Sequence, residues 1–291
     1  MILSEKINYS YQDCWNYAFS LRLNVKVDKI KKDLISLCKV TSEEFWLNFS
    51  DKILTFSDYS KICHDLTKCL SENYPISYLI NEVFFYGESF YIEEGVLIPQ
   101  KDTEILVEKT KELIEKFWKP EEKLKILDIG TGCGNIAISL AQSSPDWIFT
   151  AIDINEKALK VAKINAERKN ILNVFFQKSN LFDAIKPEEK FNIIVTNPPY
   201  ISYDEYYQLS SITKKQPIEA LVAENDGYYF YQEICRQARD FLTKKFLLVM
   251  EIGYRQAKKV IKFIIEYFPK AEVSIFVDYQ KHFRVIAVFQ L

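Results

Sequence analysis

The sequence is nearly empty of the side chains from which metal sites are made. It has two histidines, His64 and His282. Its six cysteines, Cys14, Cys38, Cys63, Cys69, Cys133 and Cys235, include no Cys-x-x-Cys pair. Zinc sites ordinarily need such pairs or histidine clusters, so no metal is expected. Cys63, His64 and Cys69 lie close in sequence without ligand spacing and are read as ordinary side chains. Nor do the cysteines form the framework of a small secreted domain, which points to a reducing, cytoplasmic setting. No run of about 18 uncharged apolar residues occurs, so no membrane span is expected. Met1-Ile2-Leu3-Ser4-Glu5-Lys6 lacks the apolar core of a signal peptide. Excess charge is missing too. A net charge of −2 and a pI near 5.9 argue against broad contact with a phosphate backbone. Glycine is the most telling shortage. There are seven, and Gly130, Gly132 and Gly134 crowd into one short stretch. A chain that otherwise avoids glycine places it there because a Cβ would block something.

What is present is apolar and periodic. At 291 residues and 48% hydrophobic, the chain can bury one large core or two ordinary ones. Residues 1–72 carry apolar side chains at helical spacing, as in Ile30, Leu34, Ile35, Leu37 and Cys38, and again in Phe45, Trp46, Phe49 and Ile53. Thr41-Ser42-Glu43-Glu44 has the pattern of a capping box. A small helical bundle follows, either a structural cap or a substrate-binding module. Residues 73–99 change character. Val83–Tyr86 and Phe90–Ile92 flank Gly87-Glu88-Ser89 and predict a β-hairpin that links the bundle to the rest. From residue 100 to 291 strands and helices alternate, with Asp102 placed to cap a helix from Thr103. Strands are expected at 125–129, 147–153, 174–177, 191–195, 246–250, 273–277 and 284–289. The fold class is therefore α/β, a mostly parallel sheet covered on both faces. The last two strands are too close for a crossover helix and should run antiparallel.

Two turns carry the chemistry. Asp128-Ile129-Gly130-Thr131-Gly132-Cys133-Gly134 stands between a strand and a helix, where bare backbone and a helix N-terminus can receive a ligand. Asp153 closes the next strand, where a carboxylate can accept from both hydroxyls of a ribose; its plain alternative is helix capping. Asn180 and Leu181, after the third strand, are placed to bond the edge of an adenine and pack on its ring, or simply to turn the chain. NAD would ordinarily bring the other glycine spacing, whereas S-adenosylmethionine offers a carboxylate, an ammonium and a sulfonium. Asp128 would face the ammonium side. The second turn is Asn197-Pro198-Pro199-Tyr200. Two prolines forbid the preceding strand from continuing and stiffen the turn. Such a turn can aim the Asn197 amide and the Pro198 carbonyl at one planar nitrogen group, with Tyr200 as an aromatic wall.

Together, residues 126–137, Asp153, Ser179-Asn180-Leu181-Phe182 and Asn197-Pro198-Pro199-Tyr200 resemble a class I S-adenosylmethionine-dependent methyltransferase, whose sheet is Rossmann-like. Tyr78-Leu79-Ile80, Phe84-Phe85-Tyr86-Gly87, Gly95-Val96-Leu97-Ile98-Pro99 and Asp102-Thr103-Glu104 narrow the likeness to the peptide-chain release factor glutamine methyltransferases. The resemblance implies S-adenosylmethionine as cofactor, held by Asp128, Gly130, Thr131, Gly132, Cys133, Gly134, Asp153, Asn180, Leu181 and Asn197. Asn197, Pro198, Pro199 and Tyr200 would hold the substrate, with Asn197, Pro198 and Tyr200 at the chemistry. It further implies class 1 release factors as protein substrates, the target being the glutamine of their Gly-Gly-Gln motif. It implies no direct nucleic acid or membrane contact and a monomeric chain. Three positions depart from the family pattern. Gln100, Asn180 and Gln216 stand where arginine, aspartate and glutamate are usual. Alternatives remain: a glutamine methyltransferase for a ribosomal protein, a nucleic-acid adenine N6-methyltransferase, and a non-catalytic binding protein on the same fold.

Overall fold

In the computed structural model, which describes residues 8–21 and 25–291, helices precede every strand. Met1–Lys6, read above for a signal peptide, and the start of the expected helical segment lie outside the described residues. The chain divides into two compact units, one of residues up to Asn81 with Ser211–Lys215, the other of Glu82–Ser210 with Gln216–Leu291.

The first unit is built from α1 (Tyr11–Ser20), α2 (Val27–Cys38), α3 (Ser42–Leu47), α4 (Phe56–Ser71) and α5 (Ile76–Ile80). Its polar punctuation does what the sequence suggested. Thr41 and Glu44 form the capping box of α3, Ser10 and Asp13 form another at α1, and Thr55 caps α4. Each satisfies backbone N–H groups that a helix start leaves open. The apolar faces of these helices meet around Leu34, Phe45 and Leu66, all fully buried.

The second unit begins with the hairpin β1 (Glu82–Phe85) and β2 (Glu88–Tyr91). Phe85 and Phe90 sink into the core of this unit. The elements that follow are α6 (Thr103–Phe117), β3 (Lys125–Ile129), α7 (Asn135–Ala141), β4 (Ile148–Asp153), α8 (Glu156–Arg168), β5 (Val174–Lys178), β6 (Phe191–Thr196), α9 (Tyr203–Gln208), the single turn α10 (Glu224–Gly227), α11 (Tyr229–Ala238), β7 (Leu242–Glu251), α12 (Ala257–Tyr267), β8 (Glu272–Val277) and β9 (Phe283–Gln290). The sheet order is β5-β4-β3-β6-β7-β9-β8. All pairings are parallel except those of β9, which runs antiparallel to both neighbours. Central strands buried on both faces need continuous apolar runs, and Ile193, Ile194, Val195, Leu247, Leu248 and Val249 are all fully buried. One apolar cluster lies on each face of the sheet.

Sequence order reverses between β3 and β6. Strands reaching from that point diverge to helices on opposite faces, and open α/β sheets bind ligands in the resulting crevice at the carboxyl ends of the strands. Register makes the crevice tight. Asp128 pairs with Val195 and Ile129 with Thr196, so the glycine turn and the Asn-Pro-Pro-Tyr turn leave adjacent strands at the same level. Thr196 Oγ1 donates to the Ile129 carbonyl at 2.8 Å and ties the two strand ends together.

Two local expectations change. Asp102 precedes α6 but makes no capping bond; its carboxylate lies 3.2 Å from the Arg284 guanidinium instead. A charged partner outcompetes a backbone N–H for the same oxygen. Helix α9 had no counterpart in the sequence reading, although Ser202 and Glu205 form its capping box.

Candidate functional site

A cleft opens at the carboxyl ends of β3, β4, β5 and β6. It is lined by Gly130 and Gly132 on one side and by Asn197, Pro198 and Pro199 on another, with Asp153, Asn180 and Leu181 between them. The two turns singled out from sequence therefore share one cavity.

The glycine turn is shaped from beneath. Asp128 is fully buried and does not reach the cleft. Its Oδ2 accepts from Thr131 Oγ1 at 2.6 Å and from the Ala137 N–H at 3.2 Å. The turn is thus pinned at both its middle and the helix it feeds. Thr131, Cys133 and Gly134 are likewise inside rather than on the cleft wall. Burial pushes the Cys133 thiol up to about 12, so it is an inert core thiol. Gly134 packs α7 against Ala162 of α8. At Gly132 φ is +57, and an added Cβ would meet nothing within 4 Å. Its backbone faces open space, the close approach that glycine permits. The Gly130 and Thr131 N–H groups both donate to the Ile152 carbonyl at 2.9 Å, which folds the turn over the end of β4.

Asp153 is anchored by both oxygens. Oδ2 accepts from the Gly132 N–H at 2.9 Å and Oδ1 from the Asn155 N–H at 2.8 Å. It is not the cap of α8; Asn155 is, accepting from the N–H groups of Lys157 and Ala158. Burial raises the Asp153 pKa, opposed by the N–H groups of Asn155, Gly132 and Ile154. A carboxylate accepts about four hydrogen bonds, so beyond these three N–H groups one position stays open for a ligand in the cleft. Asn180 is exposed on the cleft rim. Leu181 holds φ +47, a left-handed backbone that a branched side chain adopts only when its surroundings impose it. Ser179 imposes it here, donating to the Leu181 carbonyl and accepting from the Ala184 N–H.

Asn197 donates through Nδ2 to Thr103 Oγ1 at 3.1 Å. That bond leaves its Oδ1 as the acceptor end. Tyr200 does not come to this cleft. Its hydroxyl donates to Glu251 Oε1 at 3.4 Å, and it lines a neighbouring pocket with Gly253 and Gln256. Gly253, without a Cβ, leaves room for the ring. The Tyr200 carbonyl accepts from Gln256 Nε2 at 2.8 Å, so the kink is held at its far end as well.

Several cleft residues were not singled out as site residues. Gly95, Val96 and Leu97 form a wall, tied down by the Asn155 side chain donating to the Gly95 carbonyl at 3.2 Å. Ile154, Glu219 and Phe230 complete it. Asn165, in the last turn of α8, uses all its polar atoms: it accepts from the Tyr91 N–H and donates to the carbonyls of Tyr91 and Cys133. It clamps hairpin and glycine turn together. An asparagine inside an alanine-rich helix was the available signal, since its low helix propensity demands a reason.

The buried Asp128 has a measurable consequence. Its Oδ1 has no partner, and burial lifts the carboxyl from 3.8 to about 7. A raised folded pKa means full stability at low pH and a loss that grows as pH rises from about 4 to about 7. Relative to wild type, Asp128→Asn should therefore gain up to about 4 kcal/mol of stability between those limits. Chemical denaturation of both proteins across pH 4–8 measures it; a constant difference means the carboxyl is ionised throughout.

Comparisons with known proteins find relatives over most of the chain. The methyltransferase small domain family matches residues 103–216. The release factor glutamine methyltransferase of Lactococcus lactis subsp. lactis (strain IL1403) is 41% identical over 246 residues, 84% of this chain and 87% of its own length. That of Fusobacterium nucleatum subsp. nucleatum is 43% identical over 230 residues, 79% of this chain. The chain spans 64% of that relative's length. Among solved structures, the human methyltransferase 10 domain containing protein matches with a TM-score of 0.51 at 20% identity, covering 70% of this chain and 88% of its own. At that identity it shows the fold alone.

Proposed function

The chain belongs to the release factor glutamine methyltransferase family, and we propose that it transfers a methyl group from S-adenosylmethionine to the side-chain amide nitrogen of the glutamine in the Gly-Gly-Gln motif of class 1 peptide-chain release factors. The observation that carries this reading is the single cleft between the glycine turn and Asn197, with the Asn197 NH2 turned away to Thr103.

The cleft fits the cofactor. Open backbone at Gly132, a carboxylate with a spare acceptor position at Asp153, and an amide at Asn180 beside the apolar faces of Ile154 and Leu181 are the groups that a nucleoside with an amino-acid tail requires. S-adenosylmethionine supplies an electrophilic methyl group. Everything else falls to the chain's own residues. An amide nitrogen is a poor nucleophile because its lone pair is delocalised into the carbonyl. Asn197 Oδ1 and the Pro198 carbonyl accept its two N–H bonds, which raises density on nitrogen and fixes its direction. Orientation of this kind replaces an encounter with a bound geometry, and fixed acceptors stabilise the positive charge that develops on nitrogen until the methylated nitrogen loses one proton to water. Asp128 acts from beneath, holding the turn. Recognition of the folded protein substrate is assigned to the helical region 1–72, with 73–99 as linker and 100–291 as the cofactor-binding domain.

The direct test is incubation with a purified class 1 release factor and labelled cofactor, followed by mass mapping. Label on the Gly-Gly-Gln glutamine is expected; label elsewhere, or none, contradicts the reading. Asp153→Ala should weaken cofactor binding by about 1–3 kcal/mol, the range for hydrogen bonds to a charged group. Calorimetry showing unchanged affinity removes the ribose assignment.

A further inference from the structure

A ribose brings two hydroxyls into the cleft, and Asp153 can serve only one of them. Its carboxylate already accepts from the N–H groups of Gly132, Asn155 and Ile154, which leaves one of its roughly four positions. A hydroxyl that leaves water without gaining an acceptor costs binding free energy, so the second one needs an oxygen elsewhere in the same cavity. Among the described residues, the other side chains with oxygen acceptors that line the cleft are Asn155, Ser179, Asn180, Thr196, Asn197 and Glu219. The Asn155 oxygen accepts from the Lys157 and Ala158 N–H groups, and its NH2 donates to the Gly95 carbonyl. The Ser179 and Thr196 hydroxyls are buried and bonded to main chain. Asn180 serves the adenine and Asn197 the substrate amide. Glu219 is what remains.

Glu219 is held in place at the rim. It lies in the single 3-10 turn Ile218–Ala220, and the chain is anchored on both sides of that turn. Before it, Gln216 Oε1 accepts from the Ile98 N–H at 2.9 Å, next to the cleft wall of Gly95, Val96 and Leu97. After it, the Ile201 N–H donates to the Leu221 carbonyl and the Ala223 N–H to the Ile201 carbonyl, both at 2.9 Å. Ile201 directly follows the Asn-Pro-Pro-Tyr kink. The Glu219 side chain itself is exposed, and among the described residues no ion pair or hydrogen bond occupies it. No lysine or arginine is among the described residues that line the cleft. Burial raises the Asp153 pKa, and the Glu219 charge adds to that rise. Two carboxylates that share one cavity repel each other, and a diol that offers each of them a proton relieves the repulsion.

We propose that Glu219 is a cofactor-binding residue that divides the ribose diol of S-adenosylmethionine with Asp153, each carboxylate accepting from one hydroxyl. The inference rests on the reading of this cleft as the S-adenosylmethionine site. It replaces the sequence expectation that Asp153 alone takes both hydroxyls. It also gives the cleft a specificity: each hydroxyl has its own acceptor, so a nucleoside that lacks either one loses a separate bond.

The test measures dissociation constants by calorimetry for the full chain as wild type, Glu219→Ala and Glu219→Gln. The ligands are S-adenosylhomocysteine and its two monodeoxyribose analogues, each missing one hydroxyl. S-adenosylhomocysteine has no sulfonium, so attraction between Glu219 and that cation does not enter the result. Glu219→Ala should weaken its binding about 10-fold, the scale of one hydrogen bond to a charged group. Glu219→Gln keeps an acceptor oxygen and should recover part of the loss. With one monodeoxy analogue, Glu219→Ala should bind as well as wild type, because the hydroxyl that Glu219 serves is already gone. With the other, which lacks the hydroxyl served by Asp153, the loss of about 10-fold should persist. An equal loss with all three ligands marks a general disturbance of the loop or a contact elsewhere on the ligand, and overturns the proposal. A wild type that does not bind S-adenosylhomocysteine overturns the reading of the cleft and this inference with it. A wild type that binds it, beside an equally tight Glu219→Ala, overturns the inference alone.

Discussion

Asn197→Ala should lower kcat by about 100- to 1000-fold, the range for removing one fixed group that meets developing charge. S-adenosylmethionine affinity should stay within a few-fold. The asymmetry follows from where the side chain sits. Asn197 closes the cleft from the end of β6, while Gly132 and Asp153 bound to each other define the opposite wall. Truncation removes the acceptor for one N–H of the substrate amide and frees Thr103, but leaves the Gly132–Asp153 bond intact. Pro198 and Pro199 still hold the backbone, so the Pro198 carbonyl keeps its place and the fold should not suffer. Single-turnover rates with calorimetric cofactor binding separate the two effects. Unchanged turnover removes the amide clamp; equal losses in rate and cofactor affinity make Asn197 a cofactor ligand instead.

Gly227→Ala should be the most disruptive small substitution in the second unit. Gly227 has φ +85, and a Cβ built there overlaps the Tyr200 carbonyl oxygen and lies 3.0 Å from Gln256 Nε2. Those are the two partners of the bond that anchors the kink at its far end. The left-handed backbone alone costs an alanine about 1–2 kcal/mol, and overpacking adds about 1–3. Stability should therefore fall by about 2–5 kcal/mol. Relief comes only by moving Tyr200, so kcat should fall about 100-fold in the protein that remains folded, since a shift of about 1 Å at the reacting geometry has that effect. Chemical denaturation and kcat at low temperature test both parts. A stable and fully active Gly227→Ala would mean that the turn after Tyr200 does not govern the kink.

Much of this molecule was legible because its elements are set by local pattern. β3 begins and ends where the apolar run does, and β6 stops one residue before Asn197. Parallel strands buried on both faces write themselves as runs of Ile, Leu and Val. The glycine turn was legible because glycine is rare elsewhere. What escaped depends on partners distant in sequence. Tyr200 reads as a wall for the cleft, but Glu251 and the space at Gly253 draw it to another pocket. Asp102 reads as a cap, but Arg284 claims it. Asp128 and Cys133 sit in the motif yet face the core, where Thr131 and the Ala137 N–H hold the Asp128 carboxylate.

The departures from the family pattern show the same limit from the other side. Gln100 and Gln216 each remove a charge where arginine and glutamate are usual. In the folded chain both bond to the backbone of one residue. Gln100 Nε2 donates to the Ile98 carbonyl at 2.7 Å, and Gln216 Oε1 accepts from the Ile98 N–H at 2.9 Å. A glutamine amide carries both a donor and an acceptor. It can therefore make one neutral version of either bond, and the loop beside the cleft keeps its anchors without the charges.

The most direct measurement is a crystal structure of the protein with S-adenosylhomocysteine and a Gly-Gly-Gln peptide. The glutamine nitrogen is expected within about 2.7–3.2 Å of both Asn197 Oδ1 and the Pro198 carbonyl oxygen, the range of a formed hydrogen bond, with the cofactor sulfur on its open face. A glutamine bound with its carbonyl toward Asn197, or held away from the kink altogether, would contradict the proposed clamp.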